Sequence, residues 1–293
     1  MMRQIDGHTR LCGLIGNPVE HTMSPAIHNA LAQKEGRNLV YVPFHVEKGQ
    51  VEKAVEGAFA LNVLGLNVTV PYKSEVMACL DGIDGMAEKI GAVNTLVRTA
   101  NGYKGYNTDL TGLYRAMRSE GIRIKGEEIL ILGAGGAARA AAFLCVSKGA
   151  AQVCILNRTE ERARAVAEEV NRAFGTECAK AMNMDGYKNL PKGKEYLAIQ
   201  ATSAGLFPDV ENAAILDREF YERVHTGFDL IYRPACTKFM RMVRGAGGKA
   251  YHGLKMLLYQ GIEAYELWNG ISVSEEDALM VYGKMKETMG IEE

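Results

Sequence analysis

The chain has 293 residues, enough for two domains that each bury a core of their own. Its 34 Lys and Arg stand against 35 Asp and Glu, and a formal charge of -1 gives no reason to expect nucleic acid or an anionic membrane as partner. The opening Met1-Met2-Arg3-Gln4-Ile5-Asp6 has no basic start leading into an apolar core, and no apolar run approaches a membrane span, so a cytoplasmic protein is expected.

In chain order, residues 11–15 predict a strand ending at Gly16-Asn17-Pro18. The polar loop Glu20-His21-Thr22-Met23-Ser24-Pro25 follows, with Ser24 as the expected N-cap and Pro25 in the first turn of a helix over 26–33. A second strand is expected at 40–45 and an amphipathic helix at 50–59. In Leu64-Gly65-Leu66-Asn67-Val68-Thr69-Val70 the apolar side chains alternate with others, so Asn67 and Thr69 share one face of a strand. Pro71 ends that ladder and places Lys73 at the start of a new element by the strand mouth. Residues 90–97 read as a further strand carrying Asn94, and Gly105-Tyr106-Asn107-Thr108-Asp109 leads into a helix over 110–120 capped by Thr108 or Asp109. Thr22, Ser24, Asn67, Thr69, Lys73, Asn94 and Asp109 thus offer hydroxyl, amide, ammonium and carboxylate groups, each beside a strand end. That set suits a small polyhydroxylated carboxylate.

The apolar run 129–132 breaks into Gly133-Ala134-Gly135-Gly136-Ala137-Ala138 and then an alanine-rich segment. Strand, tight glycine turn and helix is the order a dinucleotide-binding unit needs, with pyrophosphate over the helix N-terminus. A second strand at 153–156 follows at βαβ distance and ends in Asn157-Arg158-Thr159-Glu160-Glu161-Arg162. An NAD site usually carries an acid there for the ribose 2′-hydroxyl. Arg158 instead offers a fork of donors to a 2′-phosphate, with Arg162 one turn on and Thr159 expected to cap the helix, so NADP is favoured. Beyond lie a helix over 163–174, strands at 194–198 and, as the last, 228–232, a joint at 245–248, and a helical stripe through Leu254, Leu257, Leu258, Gly261, Tyr265 and Trp268. The six cysteines contain no Cys-x-x-Cys pair and the six histidines no ligand spacing, so reduced thiols and no metal are expected.

Taken together, Gly16-Asn17-Pro18 with His21-Thr22-Met23-Ser24-Pro25 and His28-Asn29, Asn67 to Lys73, Gly91-Ala92-Val93-Asn94-Thr95, Asn107-Thr108-Asp109, Gly133 to Arg139, Asn157-Arg158-Thr159, Ala201-Thr202-Ser203 and residues 253–260 resemble the shikimate dehydrogenase family over nearly the whole chain. The resemblance implies an α/β fold with a mixed-sheet substrate domain at 1–112, a doubly wound Rossmann-type NADP domain at 113–250, and C-terminal helices at 251–293 returning to the first domain. It implies reversible NADP(H)-dependent interconversion of 3-dehydroshikimate and shikimate, with Lys73 and Asp109 as the catalytic pair. By the same resemblance Thr22, Ser24, Asn67, Thr69, Asn94, Tyr232 and Gln260 bind substrate. Gly133, Ala134, Gly135, Gly136, Ala137, Asn157, Arg158, Thr159, Arg162, Leu230 and Gly253 line the cofactor site. A homodimer is left open. The chain departs from the family in carrying Thr22-Met23-Ser24-Pro25 for Ser-Leu-Ser-Pro, and Gln200 where many relatives have Asn. Three rivals are weighed against this reading: a relative using NAD and quinate, against which Arg158 argues; a silent NADP-sensing protein, which would be expected to lack Lys73 or Asp109; and another two-domain NADP enzyme acting on a folate or a tRNA-bound ester, which would not account for Asn67 to Lys73.

Overall fold

Alternating apolar strands and helices form two separate sheets in this structure, a computed structural model that describes residues 5–291. The chain divides into two compact units, one of Met1–Gly112 with Leu258–Glu293, the other of Leu113–Leu257.

The first unit starts with β1 (Arg10–Gly16), α1 (Ser24–Lys34), β2 (Leu39–His45) and α2 (Val51–Ala60). It continues through β3 (Gly65–Val68), β4 (Gly82–Ile83), α3 (Gly85–Ile90), β5 (Thr95–Arg98), β6 (Tyr103–Tyr106) and α4 (Thr108–Ser119), whose later turns belong to the second unit. The sheet order is β2-β1-β3-β5-β6-β4. Helical crossovers keep β1, β2 and β3 parallel, whereas a short turn after β5 forces it antiparallel to both its neighbours, β3 and β6. Ile15, Leu66, Val68 and Leu96 carry the core.

Three expectations change here. Residues 90–94 are not strand, because Asp84 caps α3 by accepting from the Met86 N–H and Gly91 ends it with φ +66°, leaving β5 to begin at Thr95. Ser24 does not cap α1; it is the first helical residue behind Met23, and its own N–H donates to Thr22 Oγ1 at 3.2 Å. Neither Thr108 nor Asp109 caps α4, since both lie inside it and Asn107 Oδ1 accepts from the Asp109 N–H at 3.1 Å.

The second unit runs β7 (Glu128–Leu132), α5 (Gly136–Ser147), β8 (Gln152–Asn157), α6 (Glu160–Phe174), β9 (Ala179–Asn183), β10 (Tyr196–Gln200), α7 (Arg218–Tyr221), β11 (Val224–Asp229), α8 (Lys238–Gly245) and β12 (Lys249–His252). Every neighbouring pair is parallel and the order is β12-β11-β10-β7-β8-β9. Counted within the unit, the strands read 6-5-4-1-2-3, the doubly wound arrangement whose switch point lies between β7 and β10. Strand 228–232 therefore ends earlier, at Asp229, and is not the last. The expected joint at 245–248 is instead the end of α8 and the turn into β12, whose short Lys249-Ala250-Tyr251-His252 lacks an apolar run long enough to announce itself. Thr159 stands at the N-cap position of α6, but its side chain makes no capping bond.

The chain ends with α9 (Leu254–Asn269), which enters the first unit at Leu258, and α10 (Glu275–Met289). Trp268 Nε1 donates to the Leu96 carbonyl at 2.9 Å, and its indole lies so close over Gly65 that a β-carbon there would fall inside the ring. Ser274 caps α10, which packs along α1.

Candidate active site

Because β5 alone runs against its neighbours, its first residue lies beside the last residues of β3 and β6, with Asn67 opposite Thr95 and Thr95 opposite Tyr106. One edge of the first sheet therefore collects the loop after β1, the end of β3, the start of β5 and the start of α4. Thr22, Ser24, Asn67, Thr69, Lys73, Asn94 and Asp109 all belong to those segments. The close packing is visible at Gly16, where a β-carbon would strike the Thr69 methyl, and in the Thr69 N–H donating to Ile15 O at 3.0 Å.

Lys73 Nζ lies 2.5 Å from Asp109 Oδ2. The lysine backbone is anchored by the Val93 N–H, which donates to the Lys73 carbonyl at 2.8 Å. The other carboxylate oxygen, Oδ1, accepts from Asn94 Nδ2 at 2.9 Å. The two side chains are 31% and 21% exposed, so the pair is screened from water but still reachable by a ligand. Asp109 sits in the first turn of α4.

Thr22 Oγ1 donates to Ser24 Oγ at 3.2 Å, so these two expected substrate residues are already neighbours. Gln260 is brought to the same helix as Asp109. A β-carbon at Gly112, one turn beyond Asp109, would come within 2.7 Å of the Gln260 backbone nitrogen, so glycine is what lets α9 approach α4 there. Tyr232 differs from the other expected substrate residues in belonging to the second unit, half-buried after β11. Sequence reasoning missed Tyr41 and Thr95, whose hydroxyls contact Asn67, and Thr108, whose backbone and side chain contact Asn94. The adjacency Asn94-Thr95 at a strand start was the one available signal.

In the second unit the turn after β7 has Gly133 at φ +110°, a conformation that disfavours a side chain, and a β-carbon there would lie 3.0 Å from the Ala201 carbonyl. Gly135 forms the N-cap of α5 with no side-chain capping bond, and β-carbons on Gly135 and Gly136 would meet nothing within 4 Å. Ala134 and Ala137 complete this turn, which leaves open space over free helix N–H groups, as a pyrophosphate requires. At the end of β8 Asn157 Nδ2 holds the Thr159 carbonyl at 2.9 Å, and Arg158 and Arg162 are exposed. No acidic side chain stands at Asn157 or Arg158, and among the described residues neither guanidinium is engaged by the protein, so both are free for a phosphate. Leu230 and Gly253 meet backbone to backbone at the ends of β11 and β12, the Gly253 N–H donating to Ile231 O at 3.0 Å and a β-carbon on Gly253 striking the Leu230 carbonyl. These residues fit an NADP-type cofactor.

One device in this unit was not anticipated. Asp229, wholly buried, accepts from Thr237 Oγ1 at 2.6 Å, the Ile231 N–H at 2.9 Å and Gln200 Nε2 at 3.4 Å. Gln200 Oε1 in turn accepts from the Thr202 N–H at 2.6 Å, so one buried knot ties together the loops that follow β10 and β11. Burial pushes the Asp229 carboxyl up to about 6, against the opposing effect of its hydrogen bonds. Among the described residues no cluster of three or more His, Cys, Asp and Glu is placed to hold a metal ion, and no helix is long and apolar enough to cross a membrane.

A mixed-sheet unit bearing a lysine–carboxylate pair, carried on one chain with a doubly wound unit, defines a two-unit α/β protein of the Rossmann dinucleotide-binding class. Three family models match: the shikimate dehydrogenase substrate binding domain over residues 14–96, shikimate / quinate 5-dehydrogenase over 115–195, and the shikimate 5'-dehydrogenase C-terminal domain over 253–280. The shikimate dehydrogenase (NADP(+)) of Desulforamulus reducens is 40% identical over 274 residues, covering 92% of this chain and 93% of its own. That of Methanothermobacter thermautotrophicus is 40% identical over 269 residues, covering 91% and 93%. The crystal structure of shikimate 5-dehydrogenase from Thermus thermophilus in complex with NADP(H) and shikimate is 33% identical with a TM-score of 0.80, covering 94% of this chain and 99% of that one. The chain belongs to the shikimate dehydrogenase family.

Proposed function

We propose that this chain is an NADP-dependent shikimate dehydrogenase, catalysing the reversible reduction of 3-dehydroshikimate to shikimate in the chorismate route to aromatic amino acids. The observation that carries the reading is the Lys73–Asp109 contact of 2.5 Å on the sheet edge that also bears Thr22, Ser24, Asn67, Thr69 and Asn94. NADPH, when bound, supplies the hydride. As the ketone carbon receives it, the carbonyl oxygen takes up the C=O π electrons, and the Lys73 ammonium stabilises and protonates that oxygen. Asp109 orients the amine and accepts from a substrate hydroxyl, while Asn94 fixes Asp109. The Thr22 and Ser24 hydroxyls take the substrate carboxylate, Asn67, Thr69, Gln260 and Tyr232 its remaining polar groups. The turn over Gly133, Ala134, Gly135, Gly136 and Ala137 holds the pyrophosphate. Asn157, Arg158, Thr159 and Arg162 would hold the adenosine 2′-phosphate, and Leu230 and Gly253 would line the same cofactor site. Residues 1–112 and the C-terminal helices serve the substrate, 113–250 the cofactor. The enzyme works in the cytoplasm, in keeping with its six free thiols.

The test is reduction of NADP+ and of NAD+ by the purified chain with shikimate and with quinate. Shikimate with NADP+ is expected to give the highest kcat/KM. Preference for quinate with NAD+ would favour the rival enzyme, and no turnover with any pair would overturn the reading.

A further inference from the structure

Four fully or nearly fully buried polar side chains form a connected hydrogen-bond path to the Asp109 carboxylate. Tyr41 Oη donates to Asn67 Oδ1 at 2.8 Å, Asn67 Nδ2 to Thr95 Oγ1 at 3.1 Å, Thr95 Oγ1 to Asn94 Oδ1 at 3.0 Å, and Asn94 Nδ2 to Asp109 Oδ1 at 2.9 Å. The orientation of the two amides is fixed by groups that cannot reverse. Asn94 Oδ1 also accepts from the Thr108 backbone N–H at 2.8 Å, so its Nδ2 must face Asp109. Asn67 Nδ2 also faces the Asn94 carbonyl at 3.3 Å, so its Oδ1 must face Tyr41. Both amides therefore turn their Nδ2 groups towards the carboxylate, while the Thr95 hydroxyl between them lies 3.0 Å from Asn94 Oδ1 and 3.2 Å from Thr108 Oγ1, and connected bonds of this kind polarise one another. Tyr41, Asn67, Asn94 and Thr95 are at most 4% exposed, and polar groups so deep destabilise a core unless paired. Phe and Val would fill the positions of Tyr41 and Thr95 without that cost.

We propose that Tyr41 and Thr95 are positioning residues for the reaction: through Asn67 and Asn94 they form a hydrogen-bond chain that fixes the Asp109 carboxylate as the partner of Lys73. This rests on the functional reading above and deepens it. The His28 ring stacks on Tyr41 with centroids 4.2 Å apart and planes 16° apart, holding the phenol in place, and Trp268 flanks it on the α9 side. The titratable neighbours bring no competing charge. Burial lowers His28 to about 3, and it raises the Cys12 thiol, beside Tyr41 in β1, to about 12. Lys73 is the cation that faces Asp109.

The experiment is shikimate oxidation by the full chain with NADP+ across roughly pH 6 to 10, for the wild type, Tyr41→Phe, Thr95→Val and Tyr103→Phe. Tyr103 is the control: it is equally buried in the same unit, and its hydroxyl donates to the Val63 carbonyl at 2.7 Å, off the chain. Tyr41→Phe and Thr95→Val are expected to lower kcat about ten-fold and to alter the pH profile of kcat, because the chain no longer holds Asp109 in place beside Lys73. KM for NADP+ should stay within about two-fold, and Tyr103→Phe should leave the profile in place. As a readout free of turnover, the Asn94 side-chain amide resonances should shift in both chain variants and not in the control. Unmoved profiles and resonances in Tyr41→Phe and Thr95→Val, or an equal change in Tyr103→Phe, would overturn the chain alone. A wild type silent towards shikimate would refute the functional reading instead, and the resonances would still decide the chain.

Discussion

Asp229→Asn isolates one ionisation in the second unit. Burial moves the Asp229 carboxyl from 3.8 to about 6. A raised folded-state value means that the folded chain holds a proton the unfolded chain has lost, so stability falls as pH rises through that window and is lowest above it. At 1.36 kcal/mol per unit the full cost is about 3 kcal/mol, of which about 2 kcal/mol develops between roughly pH 4.5 and 7. Asparagine cannot titrate, and other groups titrate alike in the two proteins. The stability of Asp229→Asn relative to wild type should therefore increase by about 2 kcal/mol over that range, whatever fixed offset the altered bonds to Thr237 and Ile231 introduce. Urea denaturation followed by far-UV circular dichroism at several pH values measures the difference. A difference that stays flat, or that shrinks as pH rises, would show that Asp229 is ionised without penalty and that the reasoning from its burial is wrong.

Other outcomes follow from the same geometry. Lys73→Ala should lower kcat by about a thousand-fold or more while NADP+ affinity, measured by titration calorimetry, changes little; near-normal turnover would remove Lys73 from the chemistry. Arg158→Ala should raise KM for NADP+ by about ten-fold and leave KM for NAD+ alone, so an unchanged ratio of the two would release Arg158 from its assigned role. Gly65→Ala puts a methyl group into the Trp268 indole and should cost about 1–3 kcal/mol, read as a lower melting temperature; a wild-type melting curve would mean the ring moves aside freely.

Much of the site was legible because its residues sit in short signatures beside strand ends. Lys73 after Pro71 and Asp109 after Gly105-Tyr106 are read off turn chemistry, and β5 running against its neighbours then brings them together. The glycine turn was plain for a similar reason: an apolar run, residues 129–132, stopped by Gly133 has few other uses. What stayed hidden depended on pairing. β4 and β12 are two and four residues long and owe their existence to neighbours in register, not to apolar pattern. The stretch 90–94 is apolar enough for a strand, yet a cap at Asp84 and a left-handed Gly91 give its start to a helix. Tyr41 and Asp229 lie in strands where periodicity gives burial but says nothing of which hydroxyl or carboxylate meets which amide.

The segment that seats Trp268 over Gly65 has an effect on the order of synthesis. The second unit is one continuous stretch of chain, Leu113–Leu257, whereas the first is made of two stretches, the later of which begins only at Leu258. Until α9 arrives, β3 presents an unfilled slot at Gly65 and the Leu96 carbonyl lacks its indole partner. A ribosome-bound nascent chain therefore finishes its middle before its beginning, and a product cut short before Trp268 leaves a notch in its sheet that other apolar chains can enter.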